Sequence, residues 1–577
     1  MRSFIKKTTI YSLCMIGMFV LFPNVGFGEN SGIAQKDSSL RREMLLEAEY
    51  TPNIRDANKI NALPPVTDPP PVKAVINYSS RATITSPPDE AARFRAEHLG
   101  TKPMLYDKRG YVTAGGGNYL NLKVAAGYEI INSESDYLRL SANHFSTNGK
   151  VKYLQDNSSE KAKLNDNLLN AFYKHRFEYF DLNASANYGY TGFNYYGYNK
   201  FNDPSGVIPD KMQVFQLINP TVGIKSTHDG NINYEGNISY SHFSKKYGML
   251  IYNNSVSEDD IFTRLNLSGD FNGTLIGVNS YMHNLFYRNT NYNDYMVFCI
   301  NPYLENSNEK RKLHAGVKTA FASEGKRKLS IAPDVEAEYD VSKGTWLYLH
   351  VGGGKEVYTL SNIAKENRYL NPEIKPEDAD SPLDARLGIR SSELEKWFFN
   401  AYLRYKITDN MHYYYRSDTY ALYGRFPNAF EYALYDKSRL MQLGGQVAFN
   451  HRDQIAVSLK LVKNGWNTEI KLPDGGKISK PILVPDFEID ASVDVTVLPE
   501  LKVNLGYELQ SGRYGLIETE VMKIKNIENV TLGANYAFNR SFSVYLQINN
   551  LLNRKYEYWH TCPEQGIGLI GGCTFMF

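Results

Sequence analysis

The chain alternates apolar and polar residues over long stretches, and the alternation is clearest at its carboxyl end. Apolar residues occupy every second position in three runs, residues 530–538, 542–548 and 567–577, and the last run ends on Phe577. Because successive side chains of a β-strand point to opposite faces, each run predicts a two-faced strand. A strand at the very end of a chain suits a closed membrane barrel, whose last strand pairs with its first.

The same period of two marks about 22 strand candidates after residue 108. They lie at residues 109–116, 119–131, 136–146, 164–177, 179–193, 211–226, 231–243, 261–272, 274–288, 295–305, 312–322, 328–341, 344–353, 383–392, 397–415, 430–450, 454–465, 485–498, 501–512, 526–539, 541–551 and 566–577. Residues 109–131 could instead form one strand, and 397–450 could hold four. Charged polar faces, such as Glu488, Asp490 and Asp494, suit a wet lumen. We therefore expect an all-β fold, a large closed antiparallel transmembrane β-barrel of about 22 strands.

The connections between these candidates alternate in length. Short turns are expected at Glu178, Asp229-Gly230, Asn272-Gly273, 342–344, 498–500 and Asn539-Arg540. Longer polar loops are expected at 147–162, 194–210, 244–260, 354–382, 416–429, 466–484 and 552–565. Outer-membrane barrels have short periplasmic turns and longer outer loops, so the last strand should run down to the periplasm. Two glycine runs fit this scheme, residues 115–117 as a tight hairpin and residues 352–355 as a turn.

The beginning of the chain differs from the rest. Residues 1–28 have the basic front, the apolar core and the small residues at the cut of a secretory signal peptide. Residues 29–108 are broken by prolines, which cannot donate to a sheet ladder and favour extended backbone. They predict a Pro-rich periplasmic or lumenal arm, which could be a linker, a docking peptide or a segment threaded into the barrel. The residues expected to dock a partner are Tyr50, Pro52, Ile54, Arg55, Asp56 and Ile60.

Composition agrees with a barrel and excludes a nucleic-acid-binding protein. The mean hydropathy is −0.43, which a barrel can have because its membrane face is spread over alternate positions. Residues 1–28 hold three of the 64 basic residues and none of the 62 acidic ones, so the remaining chain has a net charge of −1. There is thus no basic excess for nucleic acid. The 44 Tyr residues suit strand pairs and membrane interfaces.

No motif in the sequence predicts catalysis or a cofactor. After the signal peptide three cysteines remain, Cys299, Cys562 and Cys573, and no spacing in the zinc-motif range is present. Cys562 and Cys573 could pair if a loop folds back, although no disulfide framework is indicated. His560 beside Cys562 is a weak metal signal on an outer loop. We expect a protein that is not an enzyme and that carries no metal.

The last eighth of the chain resembles the end of a TonB-dependent receptor barrel. The resemblance rests on the element Asn549, Asn550, Leu551, Leu552, Asn553 and Tyr556, followed by the aromatic terminal strand. It implies an integral outer-membrane protein of Gram-negative bacteria, and the Tyr- and Asn-rich style is similar to that of Bacteroides-type (Bacteroidota) proteins. Members of the family have a globular plug with a box that pairs with TonB. The proline-broken residues 29–108 contain no plug-like run, which predicts a plugless relative and leaves coupling to TonB doubtful.

The resemblance implies transport of a solute across the outer membrane. The alternative is a non-transporting structural or assembly subunit that docks a periplasmic or outer-membrane partner through its arm, because an open barrel of this size would leak unless the arm, the loops or a partner closed it. The terminal strand also resembles the insertion signal read by the barrel-assembly machinery. The residues expected to form that signal are Leu569, Cys573, Thr574, Phe575 and Phe577, with Thr574 facing inward.

Overall fold

The structure is a computed structural model that describes residues 108–577 apart from 198–211, 228–231, 249–254, 343, 392–395, 418–425, 427, 452–453 and 472–476. Within them, 22 strands form one antiparallel sheet. These strands are β1 (Gly110–Gly117), β2 (Leu122–Asn132), β3 (Asp136–Lys152), β4 (Ser159–Arg176), β5 (Phe180–Asn194), β6 (Met212–Ser226), β7 (Asn233–Lys245), β8 (Val256–Phe271), β9 (Thr274–Arg288), β10 (Tyr295–Ser307), β11 (Arg311–Ala322), β12 (Leu329–Ser342), β13 (Thr345–Glu356), β14 (Ala379–Ser391), β15 (Trp397–Asp409), β18 (Lys437–His451), β19 (Ile455–Thr468), β22 (Phe487–Leu498), β23 (Leu501–Ser511), β26 (Ile527–Ala537), β27 (Phe542–Asn549) and β30 (Gly568–Met576).

Smaller elements lie in the connections between the barrel strands. A four-stranded sheet is formed by two hairpins, and two further hairpins have strands of only two or three residues. These strands are β16 (His412–Arg416), β17 (Phe430–Leu434), β20 (Ile470–Lys471), β21 (Lys477–Ile478), β24 (Tyr514–Ile517), β25 (Glu520–Lys523), β28 (Glu557–Trp559) and β29 (Cys562–Pro563). One α-helix, α1 (Leu360–Glu366), lies between β13 and β14, and a 3-10 turn spans Asn118–Leu120.

The sheet closes on itself because the first strand pairs with the last. The register of β1 and β30 runs from Tyr111 opposite Met576 to Gly117 opposite Ile570. The terminal Phe577 continues the pairing, since its backbone N–H donates to the Gly110 carbonyl at 3.0 Å and its carbonyl accepts from the Gly110 N–H at 2.8 Å. A closed sheet leaves no edge strand unpaired, which a membrane span requires. The predicted closed 22-stranded barrel is confirmed.

The two ends of the barrel differ as the sequence predicts. All connections at the end where β1 begins and β30 ends, the turn end, have two to six residues, whereas every connection longer than six residues lies at the opposite loop end. Asn272 and Gly273 have φ of 54° and 77°, the left-handed pair of a two-residue hairpin turn. The stretch 397–450 does hold four strands, and two of them, β16 and β17, belong to the small sheet.

Four boundary predictions are wrong. Residues 115–117 are not the hairpin turn but the end of β1, where they pair with β30, and the turn lies at Asn118–Leu120. Residues 147–162 and 244–260 are strand over much of their length, because β3 reaches Lys152 and β8 begins at Val256. Residues 352–355 are not a turn but a bulged part of β13, where the register shifts between Gly352 and Gly354. A bulge adds one residue and keeps the ladder, so a glycine run can stay within a strand.

The outer wall of the barrel is apolar and the lumen is polar. Leu347 and Leu349 on β13 are exposed on one face, whereas Tyr348 between them faces inward and donates to Asn400 at 2.8 Å. Inward-facing ion pairs include the bidentate pair of Arg404 and Asp384, at 2.7 and 2.6 Å. Exposed aromatic side chains gather at the turn end, namely Phe177, Tyr179, Phe271, Tyr339, Trp397, Phe538, Phe575 and Phe577. An apolar band with an aromatic girdle is the surface that lipid requires.

Tyrosine and glycine form cross-strand pairs on the lumenal face. In each pair the tyrosine ring covers the glycine so closely that an added Cβ would lie 2.2 to 2.5 Å from the ring or its hydroxyl oxygen. Three such pairs are Tyr303 with Gly277, Tyr348 with Gly388 and Tyr402 with Gly444. Covering a glycine with an aromatic ring restores packing on a strand that lacks a side chain there. These pairs give both residue types a structural role on the lumenal face.

No helix in the described ranges is long and apolar enough to cross a membrane.

Candidate functional site

Loops spaced around the loop end pack into one hydrophobic core across the barrel mouth. Its buried side chains come from strand ends and from four connections. They are Val151, Phe193, Tyr195, Tyr196, Phe215, Phe243, Val256, Tyr358, Leu360, Ile363, Ala364, Leu370, Ile374, Ala379, Tyr414, Phe426, Ala429, Phe430, Trp559 and Cys562. We call residues 195–197, 357–378, the described part of 410–436 and 550–567 the loop lid. A shared core holds these loops together because opening the lid would expose the apolar surface to water.

Helix α1 anchors the lid to the barrel wall. Leu360 and Ile363 are fully buried in the lid core, and the Thr359 hydroxyl caps the helix by accepting from the Asn362 N–H at 3.0 Å. The Glu258 carboxylate on β8 accepts from the Leu360 N–H at 2.7 Å and from the Ser361 N–H at 3.4 Å. Glu258 is only 2% exposed. These first-turn N–H groups have no partner within the helix, so a carboxylate from the wall fixes the position of α1.

Backbone pairing joins two lid loops to each other. The Asn371 N–H donates to the Phe430 carbonyl at 2.8 Å, and the Phe430 N–H donates to the Tyr369 carbonyl at 2.8 Å. The Asn371 side chain also donates to Glu431 at 2.9 Å. Burial raises the pKa of the Glu431 carboxyl. Part of the loop from β13 to β14 therefore runs beside β17 like an added strand.

The last loop completes the lid. The Arg416 guanidinium donates to the Thr561 hydroxyl at 2.7 Å, and the Cys562 thiol donates to the Tyr196 carbonyl at 3.2 Å. Arg513 donates to the Glu557 carbonyl at 2.7 Å. Burial lowers the pKa of Arg513 to about 10 and raises that of Cys562 to about 12. A buried, protonated thiol of this kind is structural.

A charged cluster lies at the base of the β13–β14 loop. The Lys355 ammonium is 3.2 Å from Asp380 and 3.8 Å from Asp378, and Tyr295 donates its hydroxyl hydrogen to Asp378. Burial raises the pKa of the Asp378 carboxyl, although the hydrogen bond from Tyr295 and the charge of Lys355 oppose that effect. Lys355, the residue that follows the glycine run, therefore holds an ion pair at the base of the lid.

A cavity of about 390 Å³ lies between α1 and the lumenal wall. The wall side is formed by β6 to β9, and the lid side by the loop from β13 to β14. Its lining residues are Leu217, Asn219, Ser239, Ser241, Glu258, Asp260, Phe262, Arg264, Tyr281, His283, Val357, Thr359, Ser361, Asn362 and Lys365. Hydroxyl, amide, charged and aromatic groups face one space of the size typical for small-molecule sites. The sequence carries no signal for this site, since the cavity forms only when the loop folds against the wall.

The family motif forms the turn at which the last loop begins. Asn550 is buried, and its side chain donates to the Arg554 carbonyl at 2.9 Å and to the Gln565 carbonyl at 3.1 Å. Asn550 and Asn553 have positive φ, which asparagine tolerates. Tyr556 is buried, whereas Leu551 and Leu552 are exposed. The motif thus fixes the two ends of the loop against each other.

The terminal strand presents the predicted insertion residues on two faces. Leu569, Phe575 and Phe577 are exposed on the outer wall, as is Cys573, and Thr574 is buried on the lumenal side. The Thr574 hydroxyl is 2.9 Å from that of Thr113 across the closing seam. Thr574 therefore faces the lumen. The role of these residues in insertion stays a prediction.

The remaining predictions concern the N-terminal residues and the cysteines. The signal peptide, the arm and the docking residues Tyr50, Pro52, Ile54, Arg55, Asp56 and Ile60 lie outside the described residues. Cys299, Cys562 and Cys573 are free thiols. Within the described ranges, no group of three or more His, Cys, Asp or Glu side chains could hold a metal ion, and His560 pairs with Glu557 at 3.2 Å.

Comparison with known proteins supports the fold and no closer relationship. No family model and no curated protein matches the chain. Among solved structures, the ferric-catecholate import receptor Fiu from E. coli K12 aligns with a TM-score of 0.59 at 10% identity, over 82% of each chain. The ferric enterobactin receptor PfeA of Pseudomonas aeruginosa aligns at 0.61 and 10%, over 82% of this chain and 81% of that one. The FrpB iron transporter of Neisseria meningitidis aligns at 0.61 and 9%, over 82% of each chain.

These neighbours are TonB-dependent receptors with 22-stranded barrels. The present chain has the same barrel fold, and its apolar wall, aromatic girdle and closed seam make it an integral outer-membrane protein. Since outer-membrane barrels have short periplasmic turns and longer outer loops, we expect the turn end to face the periplasm and the loop end, with its lid, to face outward.

Proposed function

We propose that this protein provides a gated passage for small solutes across the outer membrane, and that the loop lid is the gate. The observation that carries the proposal is the shared core of the lid above a polar lumen, because an open barrel of this width would leak. The cavity under α1 gives a solute a polar site on the lumenal wall.

The rival function is a structural or assembly subunit that docks a partner through residues of the arm such as Tyr50 and Arg55. No observation on the described residues favours it. A polar cavity beneath a packed lid serves a passing solute, whereas a scaffold has no use for it. No catalytic role is proposed.

Proteoliposome swelling in L-arabinose tests the proposal. One variant replaces residues 360–376 with a flexible Gly-Ser linker, in the full chain and in a chain without residues 29–108. We expect slow swelling with the intact lid and fast swelling once it is replaced. No swelling in either lid-replaced form, with the barrel folded as judged by circular dichroism, would contradict a passage through the lumen and favour the scaffold.

A further inference from the structure

One strand of the cavity wall presents an acid, an aromatic ring and a base in order along the lumen. Asp260, Phe262 and Arg264 are alternate residues of β8 and therefore share its lumenal face. The Cα atoms of Asp260 and Arg264 are separated by roughly 13 Å at the usual strand rise. Asp260 is nearer the lid, and Arg264 is nearer the turn end. Two opposite charges thus lie at the two ends of one aromatic surface.

The Asp260 carboxylate has an oxygen that lacks a partner. Asp260 is 8% exposed, and its Oδ2 is 2.9 Å from His283 Nδ1. Its Oδ1 is buried and accepts no hydrogen bond from any described residue. A buried acceptor without a donor is unfavourable, so this oxygen is a ready site for a cationic N–H donor.

The Arg264 guanidinium also has free capacity. Its central carbon lies 5.4 Å from the centroid of the Phe262 ring, and the ring of His283 is 4.6 Å from that of Phe262. Among the described residues no carboxylate lies within ion-pair distance of Arg264. A planar guanidinium held over a ring keeps its N–H groups available, and a carboxylate is the group that they bind in pairs.

The charges around the cavity balance. Glu258 and Asp260 oppose Arg264 and Lys365, and the Glu258 carboxylate is already used by the first turn of α1. A balanced lining gives no advantage to a strongly anionic or strongly cationic ligand. It suits a molecule that carries one charge of each sign.

We infer that this cavity binds a zwitterionic solute of about tripeptide size. Its ammonium group lies at Asp260, its carboxylate at Arg264, and its apolar middle on Phe262. An extended chain of three residues spans roughly 10 Å, which fits within the roughly 13 Å between the Cα atoms of Asp260 and Arg264. The inference rests on the proposed function, because it names the class of solute that the gated passage would accept.

Isothermal titration calorimetry of the detergent-purified full chain with the tripeptide Gly-Phe-Gly tests the site. We expect the free tripeptide to bind, and we expect its N-acetylated and its C-amidated forms to bind at least tenfold more weakly. In Asp260→Asn, the N-acetylated peptide should bind as well as the free peptide does. In Arg264→Gln, the C-amidated peptide should bind as well as the free peptide does. Each blocked end would thus match the loss of one named side chain.

Two charge changes at the turn end serve as controls. Glu500→Gln and Arg540→Gln remove exposed side chains far from the cavity and should leave binding unchanged. Equal binding of free and doubly blocked peptide, no binding of Gly-Phe-Gly at millimolar concentration, or unchanged binding in Asp260→Asn would overturn the inference. The arabinose experiment separates the two proposals, because swelling without peptide binding refutes the site alone, and failure to swell refutes the passage.

Discussion

The contact between Glu258 and α1 gives the sharpest prediction about the lid. Glu258→Ala removes the acceptor for two buried N–H groups, those of Leu360 and Ser361. A buried donor without a partner costs about 1–3 kcal/mol, so the two together disfavour the closed lid by about 3 kcal/mol. At 1.4 kcal/mol for each factor of ten, the open lid becomes about a hundredfold more populated.

Limited trypsin digestion measures that population. Lys365, Arg368 and Lys375 lie in the loop that carries α1, and cleavage there requires the lid to open. When opening and closing are fast, the cleavage rate follows the open population, so Glu258→Ala should be cut about a hundredfold faster. Glu258→Gln keeps an acceptor oxygen, so its cleavage rate should lie between that of the unchanged protein and that of Glu258→Ala.

The matched control is Glu235→Ala on the neighbouring strand. Its side chain is 51% exposed, and its ion pair with Lys225 is long at 3.8 Å. An exposed pair of this kind contributes little, so its removal should not change the cleavage rate. Mass spectrometry assigns the cuts to the α1 loop. An unchanged rate of cleavage in Glu258→Ala would show that the wall does not hold the lid through this carboxylate.

Three further predictions concern the seam, the Tyr–Gly pairs and the pH response of the lid. Deletion of Phe577 removes both backbone hydrogen bonds to the first strand and should reduce the amount of protein in outer-membrane fractions while secretion is retained; normal abundance would contradict the insertion role. Gly444→Ala places a Cβ 2.2 Å from the Tyr402 ring and should destabilise the barrel by about 1–3 kcal/mol in urea unfolding, whereas Gly445→Ala, with no atom within 4 Å, should not; equal midpoints would refute the packing argument. Burial raises the pKa of the Glu564 carboxyl from its ordinary 4.5 to about 7, against the attraction of Arg368. The folded lid therefore favours the neutral form, and the stability that this gives is full below about pH 4.5 and lost as the pH rises through about 7. Trypsin cleavage should accelerate over that range, corrected for the pH dependence of the enzyme on a denatured substrate, and Glu564→Gln should reduce the acceleration, leaving the part that comes from Glu431 and Asp378, whose pKa values are also raised by burial; the same pH response in both proteins would contradict it.

The barrel could be predicted from the sequence because its physics is local to each strand. One face meets lipid and the other meets water, so the period of two survives in nearly every strand, as at Leu347, Tyr348 and Leu349. The closing pairing also followed from the terminal strand. The loop-end extensions of β3 and β8 could not be predicted. Beyond the lipid both faces of a strand can be polar, so the alternation of apolar and polar residues is lost there.

The site could not be predicted, because it depends on contacts between residues distant in sequence. Leu360 and Ile363 are apolar positions in a short segment that has no signal of its own until the lid core receives them. Glu258 is an ordinary strand residue by sequence, and it becomes the helix anchor only through a loop about a hundred residues later. Asp260, which is buried, and Arg264, which is exposed, are ordinary members of a polar lumenal face until α1 forms the other side of their cavity.

The central claim, that the lid and not the arm closes the barrel, has one direct test. Single-channel conductance in planar bilayers is measured on the full chain, on a chain without residues 29–108, and on that shortened chain with residues 360–376 replaced. The account predicts little conductance in the first two and a large, steady conductance in the third. A large, steady conductance in the shortened chain with its lid intact would contradict it, because the arm would then be the closing element.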